Sequence, residues 1–125
     1  MTDGLTDKAE RAIASAKLLL AAGDTDGATN RAYYAMYDAA LAALARTRTN
    51  AEVGASRTRA GLIARFGQHL VRTGRLDAAL GRSLNRVQDL RLTADYLTPP
   101  VPTEDAAWAI GEAEMFVAAV RALLA

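Results

Sequence analysis

Arg91, Asp95 and Tyr96 fall within the stretch RLTADYLTPP, residues 91–100, where a helical pattern runs into two prolines. Together the three side chains cover the tasks of acid–base chemistry at an anionic centre. A guanidinium holds an anion through parallel N–H donors. A carboxylate with an ordinary pKa of ~3.9 is available as a base at neutral pH, while a phenol at ~10 keeps its proton and can donate it. Histidine, whose pKa of about 6.5 suits both roles, is absent from this corner. The same residues have a plainer reading. Arg91 and Asp95 have the i,i+4 spacing of a helix-surface ion pair, worth about 0.3–0.5 kcal/mol, and Tyr96 would then pack its ring where the helix ends.

A second constellation lies in Asn30, Arg31, Tyr34 and Asp38. On a helix, Arg31, Tyr34 and Asp38 share one stripe, beside an apolar stripe of Tyr33, Tyr37 and Leu41. Such a polar stripe either forms a satisfied cluster that fixes helix packing, the reading preferred here, or lines the same cleft as Arg91. Asp38 is assigned no catalytic role. The sole histidine, His69, reads as a surface or core-edge residue. With one histidine and no cysteine, neither a thiolate nor a histidine-rich metal site is expected. No P-loop or dinucleotide fingerprint occurs.

These residues must be positioned by helices. Alanine and leucine dominate and β-branched residues are sparse, which favours an all-α fold. Five segments are expected. The first spans roughly 6–22, opened by an Asp7-x-x-Glu10 pair that looks like a capping box, and is closed by Gly23. The second starts near Asp24 or Asp26 and runs to Arg46, with Tyr33, Tyr37, Leu41 and Leu44 on one face. RTRTNAEVGAS, residues 46–56, reads as a loop. Ser56 would cap the third segment, which turns Leu62, Ile63, Phe66 and Leu70 inward and ends at Gly74; Gly61 and Gly67 inside it suggest close helix approach. In the fourth, Leu76, Leu80, Leu84, Val87, Leu90, Ala94 and Leu97 predict a face buried along its whole length, ended by Thr98-Pro99-Pro100. Thr103 opens the fifth, with Glu104 and Asp105 at the positive end of its dipole and Ala113, Phe116, Val117, Val120 and Leu124 as the inner face. Short connections favour an up-and-down bundle of four to five helices, one domain over residues 1–125.

Charge is unevenly distributed. The net value is +1, yet residues 46–91 hold ten arginines against three acids, while residues 92–125 hold one base against five. Arginine accounts for thirteen of the fifteen basic residues, which suits bidentate phosphate contacts. The basic middle therefore reads either as a nucleic-acid surface or as arginine placed wherever a solvated helix face needs charge. No apolar run approaches the ~18 residues that span a bilayer. The first residues lack a signal-peptide layout, so a cytoplasmic location without membrane contact is the expectation.

Three ordered blocks carry a resemblance: NRAYYAMYDAALAAL (30–44), RTRAGLIARFGQHLVRTGRLD (57–77) and LRLTADYL (90–97). In this order and spacing the chain resembles the HEPN superfamily, and within it the subgroup with R-A-Y-Y-A-M and R-x-x-A-D-Y motifs, often encoded beside a minimal nucleotidyltransferase. The resemblance implies a helical bundle, usually a homodimer, whose arginine motifs face each other across a cleft. Many members are metal-independent ribonucleases acting as toxins or antiviral effectors, through an arginine followed four to six residues later by histidine. Here the histidine position of the shortest form falls on Tyr96. The site implied is Arg91 on the phosphate, Asp95 as base and Tyr96 as acid, with Arg31, Tyr34, Arg57, Arg59 and Arg65 binding RNA or nucleotide, and no cofactor. Relatives commonly read T-H-K-G where this chain has Thr58-Arg59-Ala60-Gly61, so a further proton carrier is replaced by charge. The implied partners are RNA and a nucleotidyltransferase antitoxin that masks the cleft or modifies a tyrosine such as Tyr96. The alternative is a non-catalytic helical adaptor.

Overall fold

The computed structural model describes residues 2–47, 59–96 and 99–125, and every regular element among them is helical. In chain order these are α1 (Thr2–Ala21), α2 (Thr25–Thr47), α3 (Arg59–Phe66) continued by a π-helical turn (Gly67–Val71), α4 (Ala78–Tyr96) and α5 (Thr103–Leu124). The expected loop after Arg46, the Ser56 cap and Leu97 of the fourth stripe lie largely or wholly outside the described residues.

Gly23 and Gly74 end their helices at φ of 87° and 78°, a region costly for any residue with a Cβ. At the first, Gly23 N–H donates to Leu20 O and Asp24 N–H to Leu19 O, the paired bonds of a Schellman motif. Asp24 then caps α2, its Oδ1 accepting from Gly27 N–H at 2.8 Å. The resulting hairpin runs α1 and α2 antiparallel. α1 begins four residues earlier than its sequence suggests, so Asp7 and Glu10 sit inside the helix and cap nothing. Both instead meet Arg121 of α5, at 3.1 and 3.0 Å.

α2 is the central helix. Ala28, Ala32, Ala35, Ala39, Ala40, Ala42 and Ala43 are all fully buried, joined by Tyr33, Met36 and Leu44. Side chains this small let neighbours approach from several directions, and α1, α3, α4 and α5 all pack against it. On α5, Ala113, Phe116, Val117 and Val120 are buried as the period predicts, and Leu124 is half-buried. Phe116 stacks on Phe66 of α3 with ring centroids 5.1 Å apart.

The third helix does not run evenly to Gly74: it widens after Phe66, and Arg72 N–H bonds to Gly67 O five residues back. Among the described residues no other element lies within 4 Å of where a Gly67 side chain would begin, so none of them makes a close approach there. The stripe on α4 is buried only in part. Leu84 and Val87 are enclosed, whereas Leu80, Leu90 and Ala94 are half-covered, because α2 is the principal neighbour of this helix. One turn beyond Val87, the enclosed residue is Arg91.

No helix among the described residues is long and apolar enough to cross a membrane.

Candidate functional site

α2 and α4 run antiparallel, which brings Asn30 and Tyr33 on the first against Gln88, Arg91 and Asp95 on the second. On α4 the three polar residues share a face by their spacing of three and four. Arg91 is only 9% exposed. A guanidinium is costly to bury unless its donors and its flat faces are both matched. Here Nε donates to Asn30 Oδ1 at 3.2 Å, Nη2 meets Asp95 Oδ2 at 2.9 Å, and the group lies 5.5 Å from the centre of the Tyr33 ring. Asn30 Nδ2 donates to Asp95 Oδ1 at 3.3 Å, so three side chains close a ring of contacts. Below it, the hydroxyl of the fully buried Tyr33 donates to Gln88 Oε1 at 3.2 Å.

The i,i+4 pair is therefore present, with its arginine end buried and its carboxylate end at the surface. Asp95, with 27% of its side chain exposed, accepts on both oxygens. To act as a base it must give up part of one of these contacts. Tyr96, the third member, stands apart and is 78% exposed among the described residues. One chain thus brings Arg91 and Asp95 together and leaves Tyr96 facing solvent.

The second stripe sits beside this ring of contacts on α2. Arg31 lies over the Tyr34 ring at 5.5 Å, and the Tyr34 ring is 6.0 Å from that of Tyr33. Asp38, 8% exposed, has its pKa raised by desolvation, with the charges of Lys8 and Arg31 opposing the rise. Arg65 is half-buried at the end of α3; Arg57 and the side chain of Arg59 lie outside the described residues. His69 is half-buried in the π turn. Among the described residues no cluster of three metal-ligating side chains occurs.

Sequence reasoning missed Tyr33 and Gln88 as parts of this site. Tyr33 falls on the apolar stripe and so reads as core, which it also is. Gln88 carries a usable signal, since it precedes Arg91 by three and Asp95 by seven.

Compared with known proteins, the chain matches the family model described as the HEPN domain over residues 2–123. It is 34% identical over 120 residues to a Methanocaldococcus jannaschii protein named as a putative toxin, covering 96% of this chain and 86% of that one. A second protein of that organism with the same kind of name is 26% identical over 114 residues, 90% of this chain and 74% of its own. A UPF0332 protein of Gloeobacter violaceus is 35% identical over 92 residues, 74% of this chain and 69% of its own.

Proposed function

The chain belongs to the HEPN domain family, and from that premise we propose that it is the toxin-like component of a toxin–antitoxin or defence module, acting on RNA at the Arg91–Asp95–Tyr96 corner. The observation that carries this reading is Arg91, a cation fixed on three sides at the edge of α4. A fixed guanidinium needs no reorganisation when charge builds on a phosphate. In the metal-independent step, Asp95 takes the 2′-hydroxyl proton, the 2′-oxygen attacks the adjacent phosphorus, and Tyr96 protonates the departing 5′-oxygen. Arg91 offsets the phosphate charge. Arg31 and Tyr34, stacked on the neighbouring stripe, bind RNA or nucleotide, together with Arg57, Arg59 and Arg65. The names of the two archaeal relatives support the toxin role.

The exposure of Tyr96 supports a site completed across a homodimer cleft, where the tyrosine of one protomer reaches the arginine–aspartate pair of its partner. It also suits control by a minimal nucleotidyltransferase, for which Tyr96 is the accessible hydroxyl to modify. A second reading rests on Asp95: both of its oxygens are already engaged, as in a cluster that only shapes a surface. On that reading the protein is a non-catalytic adaptor for RNA, nucleotide or the nucleotidyltransferase.

The test is growth and RNA integrity in cells expressing the wild type, Arg91→Lys, Arg91→Ala and Tyr96→Phe without a partner. Tyr96→Phe is decisive, because so exposed a ring contributes little to folding. Growth arrest with fragmented RNA in the wild type, lost in Tyr96→Phe and both Arg91 variants at unchanged circular dichroism, supports the ribonuclease. Intact RNA in all four favours the adaptor, whose RNA affinity should then fall with salt and on neutralising Arg65.

A further inference from the structure

On the flank of α4 away from the Arg91 corner, a groove of about 630 Å3 opens between α4 and α5, within the usual size range of ligand clefts. Leu90 and Trp108, both half-buried, give it an apolar floor. Asp89, Glu104 and Asp105 place three carboxylates around it, against the single charge of Arg86. Glu104 and Asp105 stand in the first turn of α5, where the helix dipole favours acids. That accounts for neither Asp89, on the other helix, nor the aromatic wall.

The behaviour of Arg86 indicates what the groove accepts. Its guanidinium lies over the Trp108 ring, 5.0 Å from the centroid. Among the described residues it closes no ion pair, and neither do the three carboxylates around it. The groove thus already shows a guanidinium stacked on its aromatic face, with a surplus of two negative charges facing solvent. An apolar floor with acids at the rim fits a long side chain that lays its methylene stem down and keeps its cationic head outside. Indole is the strongest of the aromatic partners for such a head. The same charge repels nucleic acid. We infer that the groove between α4 and α5 docks a basic segment of a protein partner, through an arginine side chain that displaces Arg86 from Trp108 and sits between the ring and the carboxylates of Asp89, Glu104 and Asp105. The inference does not rest on RNA cleavage, since the groove and the Arg91 corner lie on different flanks of α4.

Trp108 is the only tryptophan in the chain, so tryptophan emission, excited at the red edge where the four tyrosines do not absorb, reports on this groove. The wild type would be titrated with a capped peptide of alternating glycine and arginine, its glutamate counterpart, and spermidine. The expected result is a saturable change with the arginine peptide only, with a midpoint that rises with salt. In Glu104→Gln/Asp105→Asn the midpoint should rise by about tenfold or more, from loss of charge complementarity. Asp89→Asn, which leaves the first turn of α5 untouched, should act in the same direction. Arg86→Ala frees the ring and removes a repelling charge, so its midpoint should fall. The inference is overturned by no saturable response, or by a response that these variants leave unchanged. It is equally overturned if spermidine matches the peptide, which makes this a small-cation site, or if fluorescence changes on dilution of the protein alone, which makes a second copy the occupant.

Discussion

Arg91 and Asp38 show two ways in which a charged side chain withdraws from water, with opposite consequences. Arg91 exchanges its hydration for an asparagine, a carboxylate and a ring face, all within reach. Asp38 is buried to a similar degree, but desolvation dominates and its pKa rises despite Lys8 and Arg31. The folded protein therefore holds the Asp38 proton to higher pH than the unfolded chain, whose value is near 3.8. Its contribution to stability is most favourable below that value and is lost as pH rises through the folded pKa. Asp38→Asn keeps the shape and removes the charge. It should melt about 2–5 °C higher than the wild type at pH 7, with the difference shrinking as pH falls toward 4. Thermal melts at four or five pH values would check this; an equal or lower melting temperature at pH 7 would mean that attraction to the Lys8 and Arg31 charges outweighs desolvation.

At the scale of elements, the punctuation was legible and the packing was not. Gly23, Gly74 and the Pro99–Pro100 pair act on the chain locally, through allowed φ and a missing donor, so they end helices wherever the fold places them. The early start of α1 and the π turn after Phe66 correspond to no cap or breaker in the local sequence. In the site, the spacing of Arg91 and Asp95 was visible. Their partner Asn30 is 61 residues from Arg91 in sequence, and its contact became visible only in the fold. The fourth stripe misled for a related reason: hydrophobic period says which face turns inward, not how much of it a neighbour covers. Local devices also allow local predictions. Asp24→Ala removes the acceptor for Gly27 N–H at the start of α2 and should cost about 1 kcal/mol in denaturant unfolding. An unchanged midpoint would show that burial of α2 alone fixes its first turn.

Across the whole molecule, apolar burial and surface charge divide the work unequally. Along α1 and α5, Lys17 meets Glu114 while Arg121 meets Asp7 and Glu10, in exposed pairs that hold the two helices antiparallel. Each such pair is worth at most about 1 kcal/mol and weakens with salt. Arg121→Ala should therefore lower the melting temperature by only a few degrees at low ionic strength, and by less at ~0.5 M salt. A loss that persists in salt would assign Arg121 a packing role through its stem. The interior depends on α2, whose alanines are enclosed by every other helix. One consequence concerns time. Amide protons on a helix surrounded in this way should exchange with solvent only when the whole protein opens, whereas those at the end of α4 exchange through brief local fraying. The corner built from both helices thus joins the slowest-opening backbone, under Asn30 and Tyr33, to some of the fastest, under Tyr96. A partner that grips Tyr96 would slow the exchange of the α4 end first and leave α2 as it was.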